Sequence, residues 1–125
     1  MRKRLLSLLF LSLYGSMLFA QEPLDINDVE RVPLGDFTYQ WRNIYDRTPL
    51  HGKCRIILSY RSYTIAHFNK DGILDGLYEK YEDNHLVQKL TYVKGILRGK
   101  GYEYYTDGTV KKECVWNEQG KIDGL

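Results

Sequence analysis

The chain reads as all-β, a set of stacked β-hairpin repeats forming one elongated antiparallel meander sheet. Three observations predict it. Phe68, Tyr92 and Trp116 recur every 24 residues, and a fixed period of that size marks stacked supersecondary units. Each of these aromatics leads into a glycine-bearing turn: Asn69-Lys70-Asp71-Gly72, Val93-Lys94-Gly95 and Asn117-Glu118-Gln119-Gly120. Beyond the first twenty residues no stretch sustains an apolar period of 3.6, so almost no helix is expected.

The elements follow in order. Met1 to Ala20 has the plan of a secretory signal peptide, with basic Arg2-Lys3-Arg4, an apolar run to Phe19 and small Ala20 at the cleavage point. No cysteine closes that run, which argues against a lipid anchor. Residues 21–35 read as an extended segment with Pro23, Pro33 and little periodicity. Residues 36–125 form the repeat domain. In it Phe37, Tyr39, Trp41, Asn43 and Tyr45 alternate with more polar neighbours, the period of a strand. Tyr45 precedes Gly52 by seven residues, as Tyr92 precedes Gly99, a fainter upstream copy of the repeat.

Three hairpin units then span roughly 50–73, 74–97 and 98–121. The first pairs Lys53 to Tyr60 with Ser62 to Phe68. The second runs Leu77 to Glu82, turns at Asp83-Asn84 and returns over Leu86 to Tyr92. The third runs Tyr102 to Tyr105 and returns over Val110 to Trp116. Its turn contains Asp107-Gly108, and Asp-Gly is a strong hairpin signal because the turn needs positive φ. Aligned by 24, Ala66, Leu90 and Cys114 share one slot and Phe68, Tyr92 and Trp116 the next on the same face. Cys54, Tyr78 and Tyr102 fall into another slot, and Ile57, Tyr81 and Tyr105 into a further one. One face is expected to pack, with Tyr78 and Tyr102 on it, and the other to be wet.

The spaced glycines and tyrosines of Gly72-Ile73-Leu74-Asp75-Gly76-Leu77-Tyr78-Glu79-Lys80-Tyr81, and of Gly99-Lys100-Gly101-Tyr102-Glu103-Tyr104-Tyr105, resemble the bacterial variant of the MORN repeat. The resemblance covers Leu50 to Leu125. The third unit departs from it by an extra residue near Lys100-Gly101, and the first by Cys54 in a tyrosine slot. It implies one hairpin per repeat and a role as an interaction or assembly surface, some members having lipid contact and many an antitoxin label.

Charge narrows the partners. The chain has 18 Lys+Arg and 16 Asp+Glu, but three of the basic residues lie in the leader. The mature balance is near neutral without a basic cluster, which removes the footprint expected for nucleic acid. His51, His67 and His85 are scattered, with no metal-ligand spacing. The glycines of Gly95 to Gly101 belong to turns rather than to a phosphate loop. No nucleophile, base and orienting group can be assembled, so no enzyme, cofactor or metal is expected. Cys54 and Cys114 are about five strand steps apart, roughly 24 Å, against the ~7 Å that a disulfide tolerates. They read as small buried thiols.

The expected function is a secreted or periplasmic, non-catalytic module for protein interaction or assembly. A glycan- or lipid-surface contact and an immunity-like protein are the alternatives. The expected contact residues are Tyr81, Tyr104 and Tyr105, exposed in part because adjacent tyrosines point to opposite faces. Val110, Lys112 and Trp116 join them on a C-terminal strand left as an open edge, suited to a partner strand or a homodimer.

Overall fold

A computed structural model describes residues 22–122. The proposed signal peptide lies outside the described residues. The architecture is nearly all β, with one eight-stranded sheet and a separate two-stranded hairpin laid on it.

The main sheet contains β1 (Leu24–Asp25), β4 (Gly52–Ser59), β5 (Ser62–Phe68), β6 (Leu74–Glu82), β7 (His85–Val93), β8 (Ile96–Leu97), β9 (Gly99–Tyr104) and β10 (Val110–Trp116). Its order is β1-β4-β5-β6-β7-β9-β10, with β8 also on β7. From β4 onward the longer strands each pair antiparallel with the next longer strand along the chain, β7 with β9, while two-residue β8 pairs with β7. Short β1 adds in parallel beside Ile56 and Ile57. The hairpin contains β2 (Val29–Gly35) and β3 (Thr38–Asn43). A three-residue 3-10 turn, Ile26–Asp28, precedes it, capped by the Asp25 carboxylate, which accepts from Asn27 N at 2.8 Å.

Residues 24–35 are therefore not a loose leader. They lack a long apolar alternation because they contribute only one strand and one sheet edge, with Leu24, Ile26 and Val29 as the side chains that pack. The upstream echo at Tyr45 and Gly52 is not a repeat unit either. Its strand, β3, belongs to the other sheet, and Tyr45 stands exposed in the following loop, donating to Asp28 Oδ1 at 2.8 Å.

The core lies on one face of the main sheet, here called inner. Cys54, Ile56, Ala66, Phe68 and Leu74 are buried there, with Leu50, under Trp41, Val29 and Ile26. Register explains the grouping: Cys54 faces Ala66, Ala66 faces Tyr78, and Tyr78 faces Leu90. Alternation then places Phe68, Tyr92, Cys114 and Trp116 on the same side, the stripe anticipated from the 24-residue period. Cys54 and Cys114 sit on β4 and β10, five strands apart in the order, and are not bonded to each other.

The repeat is visible in its turns. Asn69 N donates to Ile73 O at 2.9 Å and Asn117 N to Lys121 O at 2.8 Å. The Asn69 Oδ1 accepts from Asp71 N and Ile73 N, and Asn117 Oδ1 from Gln119 N and Lys121 N. Such side-chain caps are what asparagine brings to a turn. Gly72 and Gly120 take φ of 76° and 77° at the matching position.

The middle turn differs. Lys94-Gly95 alone links Val93 to Ile96, so Tyr92 meets Leu97 after four residues, where Phe68 meets Leu74 after five. The hairpin turn after Tyr104 is correspondingly longer, since Tyr104 faces Val110 while Tyr81 faces Leu86. One residue is lost and then recovered, which preserves the 24-residue spacing of the aromatics but shifts everything between. Gly101, not Tyr102, takes the Tyr78 slot, lying beside Leu90 and facing Cys114. Tyr102 faces Lys89 on the opposite, outer face. The placement of Tyr102 on the packing face is thus corrected, and Tyr104 rather than Tyr105 is the counterpart of Tyr81.

Candidate functional site

The outer face is not uniformly wet. Tyr63 and Tyr81, directly opposed on β5 and β6, stack with centroids 5.0 Å apart and planes 12° apart. The Arg55 guanidinium lies 4.2 Å from the Tyr63 ring centroid, a cation–π contact that covers the end of the stack. Burial, and then the Glu79 carboxylate, raise the Tyr81 hydroxyl pKa above its ordinary value. Tyr102 and Tyr104 form a second stacked pair at 6.0 Å. The inner face, in turn, becomes polar away from the glycine turns, where Lys80 faces Gln88, Gln88 faces Glu103, and Glu103 faces Lys112.

The six anticipated contact residues do not converge on one site. Tyr81 and Tyr104 are half-buried in the outer stacks. Tyr105 is 53% exposed at the start of the last hairpin turn, with Lys111 Nζ 5.9 Å from its ring. Val110 begins β10 and is exposed, Lys112 projects from the inner face, and Trp116 is half-buried over Gly101. What groups Val110, Lys112 and Trp116 is the backbone of β10.

That backbone has one continuous neighbour, β9, on one side. On the other, the chain turns through Gly120 and returns so that Ile122 bridges Trp116 in antiparallel fashion. Trp116 also faces Gly99, so Ile122 must lie on the far side of β10. Toward Val110 the edge carries a register break at Lys111 and two exposed lysines. Bulges and edge lysines discourage indiscriminate strand pairing.

A second concave region lies where the β2–β3 hairpin tip approaches the glycine turns. Trp41 N donates to Gly72 O at 2.7 Å, and Gln40 Nε2 to Asp71 O at 3.0 Å. A Cβ on Gly95 would come within 2.9 Å of Thr38 Cγ2, so the bare glycine permits this close docking. Between the hairpin tip and the turns opens a cleft of about 490 Å³. Arg31, Tyr39, Trp41 and Tyr92 contribute its cationic and aromatic walls, with Phe37 at the rim. Burial, and then the neighbouring Tyr78, raise the Tyr92 hydroxyl pKa.

Asp36 and Phe37 make the two-residue hairpin turn with φ of 53° and 64°. Such primed turns favour asparagine and glycine. A bulky aromatic held there costs on the order of 1–3 kcal/mol, yet the Phe37 ring is 97% exposed and gains no packing in return. The alternation of Phe37, Tyr39 and Trp41 predicts a strand; β3 begins only at Thr38, with Phe37 in the turn before it. The available signal was a phenylalanine beside Asp36, where a turn was needed.

Among the described residues no group of three His, Cys, Asp or Glu could hold a metal ion, and no helix is long and apolar enough to cross a membrane. Neither protein-family models nor curated proteins give a match to the chain. Solved structures similar in part include TarM, and a point mutant of S. aureus TarM in complex with fondaparinux, α-GlcNAc-glycerol and UDP. Identities are 14% and 15%, each alignment covers 76% of this chain, and the TM-score is 0.42 in both. The chain spans 18% of the TarM chain.

Proposed function

We propose that this protein is a non-catalytic interaction or assembly module built from MORN-like hairpins, exported from the cytoplasm and freed of its first twenty residues. It engages a protein partner, or a second copy of itself, by adding a strand to the outer edge of β10. The observation carrying this reading is the Trp116–Ile122 bridge on the side of β10 away from β9. Ile122 pairs there at a single residue, which supports reading that side as open to an antiparallel strand, and strand addition would supply main-chain hydrogen bonds as affinity. Lys111 and Lys112 favour an incoming strand with acidic residues. A cognate toxin is a narrower form of the same reading.

Size-exclusion chromatography with light scattering, paired with amide exchange, tests it. A concentration-dependent dimer or a partner complex, with slowed exchange over 110–115, is the expected result. A monomer whose 110–115 amides exchange equally fast at every concentration and in cell extract would overturn the reading.

A further inference from the structure

We propose that the cleft under the β2–β3 hairpin tip binds an acidic saccharide, a site separate from the β10 edge. Its volume of about 490 Å³ falls within the range of small-molecule sites. Tyr39, Trp41 and Tyr92 give it an aromatic wall, and such rings pack against the C–H face of a sugar. Around them stand Arg31, Asp36, Gln119 and Lys121. Three of these end in a guanidinium, a carboxylate and a carboxamide, planar groups able to bond two neighbouring hydroxyls at once. An aromatic floor inside a polar girdle matches a pyranose, which has an apolar face and a rim of hydroxyls.

The charge of the ligand follows from Arg31. Its guanidinium lies 5.4 Å from the Trp41 ring centroid and 5.7 Å from that of Tyr39, so it stands beside the aromatic wall. The neighbouring carboxylate Glu30 is taken by Arg42. Among the described residues no carboxylate pairs with Arg31. Arg31 is exposed, and a guanidinium lying beside aromatic rings with no carboxylate partner is open to bidentate contact with a ligand carboxylate. Lys121 adds a second positive charge against the single Asp36.

The conformation of Phe37 points the same way. A fully exposed aromatic kept at positive φ on the cleft rim gains no packing to offset its strain. Closing over a bound sugar ring supplies that packing, and strained positions of this kind collect at ligand clamps.

The test is titration of the purified protein, followed by tryptophan fluorescence and by NMR. The probes are di- to tetrasaccharides of galacturonate, glucuronate and mannuronate, with the neutral galactose, glucose and mannose oligomers as controls. Saturable binding is expected with a Kd of about 1 mM or tighter, and a preference of about tenfold or more for the acidic series. Arg31→Gln removes that preference with only a small loss of thermal stability, and Arg31→Lys retains part of it. Tyr39→Ala weakens both series. The proposal is overturned if no acidic oligosaccharide binds by about 10 mM, or if Arg31→Gln leaves the preference intact. Tetraglutamate binding as tightly as the sugars would make the cleft a peptide site and overturn it too.

Discussion

The Trp116 indole lies against the bare Cα of Gly101, while Leu90 Cδ2 closes the other side at 2.8 Å from where a Cβ would stand. Gly101 has no left-handed φ to explain it, so its lack of a side chain is a matter of space alone. Gly101→Ala is therefore expected to destabilise the protein by about 1–3 kcal/mol, the range for overpacking, in urea denaturation. In a Trp116→Ala background the same change should cost much less. Equal costs in both backgrounds would mean that the indole does not occupy this place.

Phe37→Gly should stabilise the fold by about 0.5–1 kcal/mol, because glycine takes positive φ without the steric penalty. The same variant should bind the cleft ligand more weakly. A loss of stability would show that the aromatic contributes packing at the hairpin tip.

Trp41 joins the hairpin to the sheet, through its backbone bond to Gly72 and a ring 5.5 Å from Phe68. Truncating it to alanine should cost about 3–5 kcal/mol and speed amide exchange across 29–43 before that of β5 and β6. Uniform loss of protection would indicate that the hairpin and the main sheet unfold as one unit.

Asn69→Ala removes the acceptor for two backbone amides and should cost about 1–2 kcal/mol. Asn117→Ala removes the same pair at the other end of the array, where among the described residues only Ile122 is held beyond the turn. Its global cost should be smaller, with faster exchange confined to 117–122. Equal midpoint shifts for the two variants would contradict this.

Alkaline pH should destabilise the fold. Burial raises the Cys54 thiol and the Tyr78 and Tyr92 hydroxyls above their ordinary values of 9.0 and 10.0. The unfolded chain loses these protons first, so their contribution is whole below pH 9.0 and declines as pH passes 9.0 and then 10.0. At the acid end, Thr109 holds the Asp107 pKa below its ordinary 3.8 through its hydroxyl and amide. This group is exposed, so its effect on falling pH is small. Urea midpoints that stay level up to about pH 11 would show that these groups are hydrated in the folded state.

The turns were the most legible part of the chain. Asp83-Asn84 and the glycine loops announced themselves because left-handed φ admits few residue types, and the asparagines that cap the loops lie at matching positions. The inner stripe was legible for a related reason, since strand alternation sends Phe68, Tyr92 and Trp116 to the same side. Tyr102 was misplaced because two compensating changes in turn length leave the 24-residue spacing intact. Only the hydrogen-bond register reveals the shift. The segment 24–35 was illegible because its small apolar content makes sense only against the sheet that it covers.

The sequence by itself determined an antiparallel array of hairpins, its turn positions, one apolar stripe and two cysteines too far apart to bond. These follow from local φ preference and period-two alternation, which act within a few residues. The tertiary structure alone decided that β2 and β3 leave the array and cross its inner face. It also decided which tyrosines stack outside, and that Arg31 and Phe37 meet Tyr92 across a cleft. Those outcomes depend on which distant surfaces exclude water together, a choice made by packing between segments rather than within them.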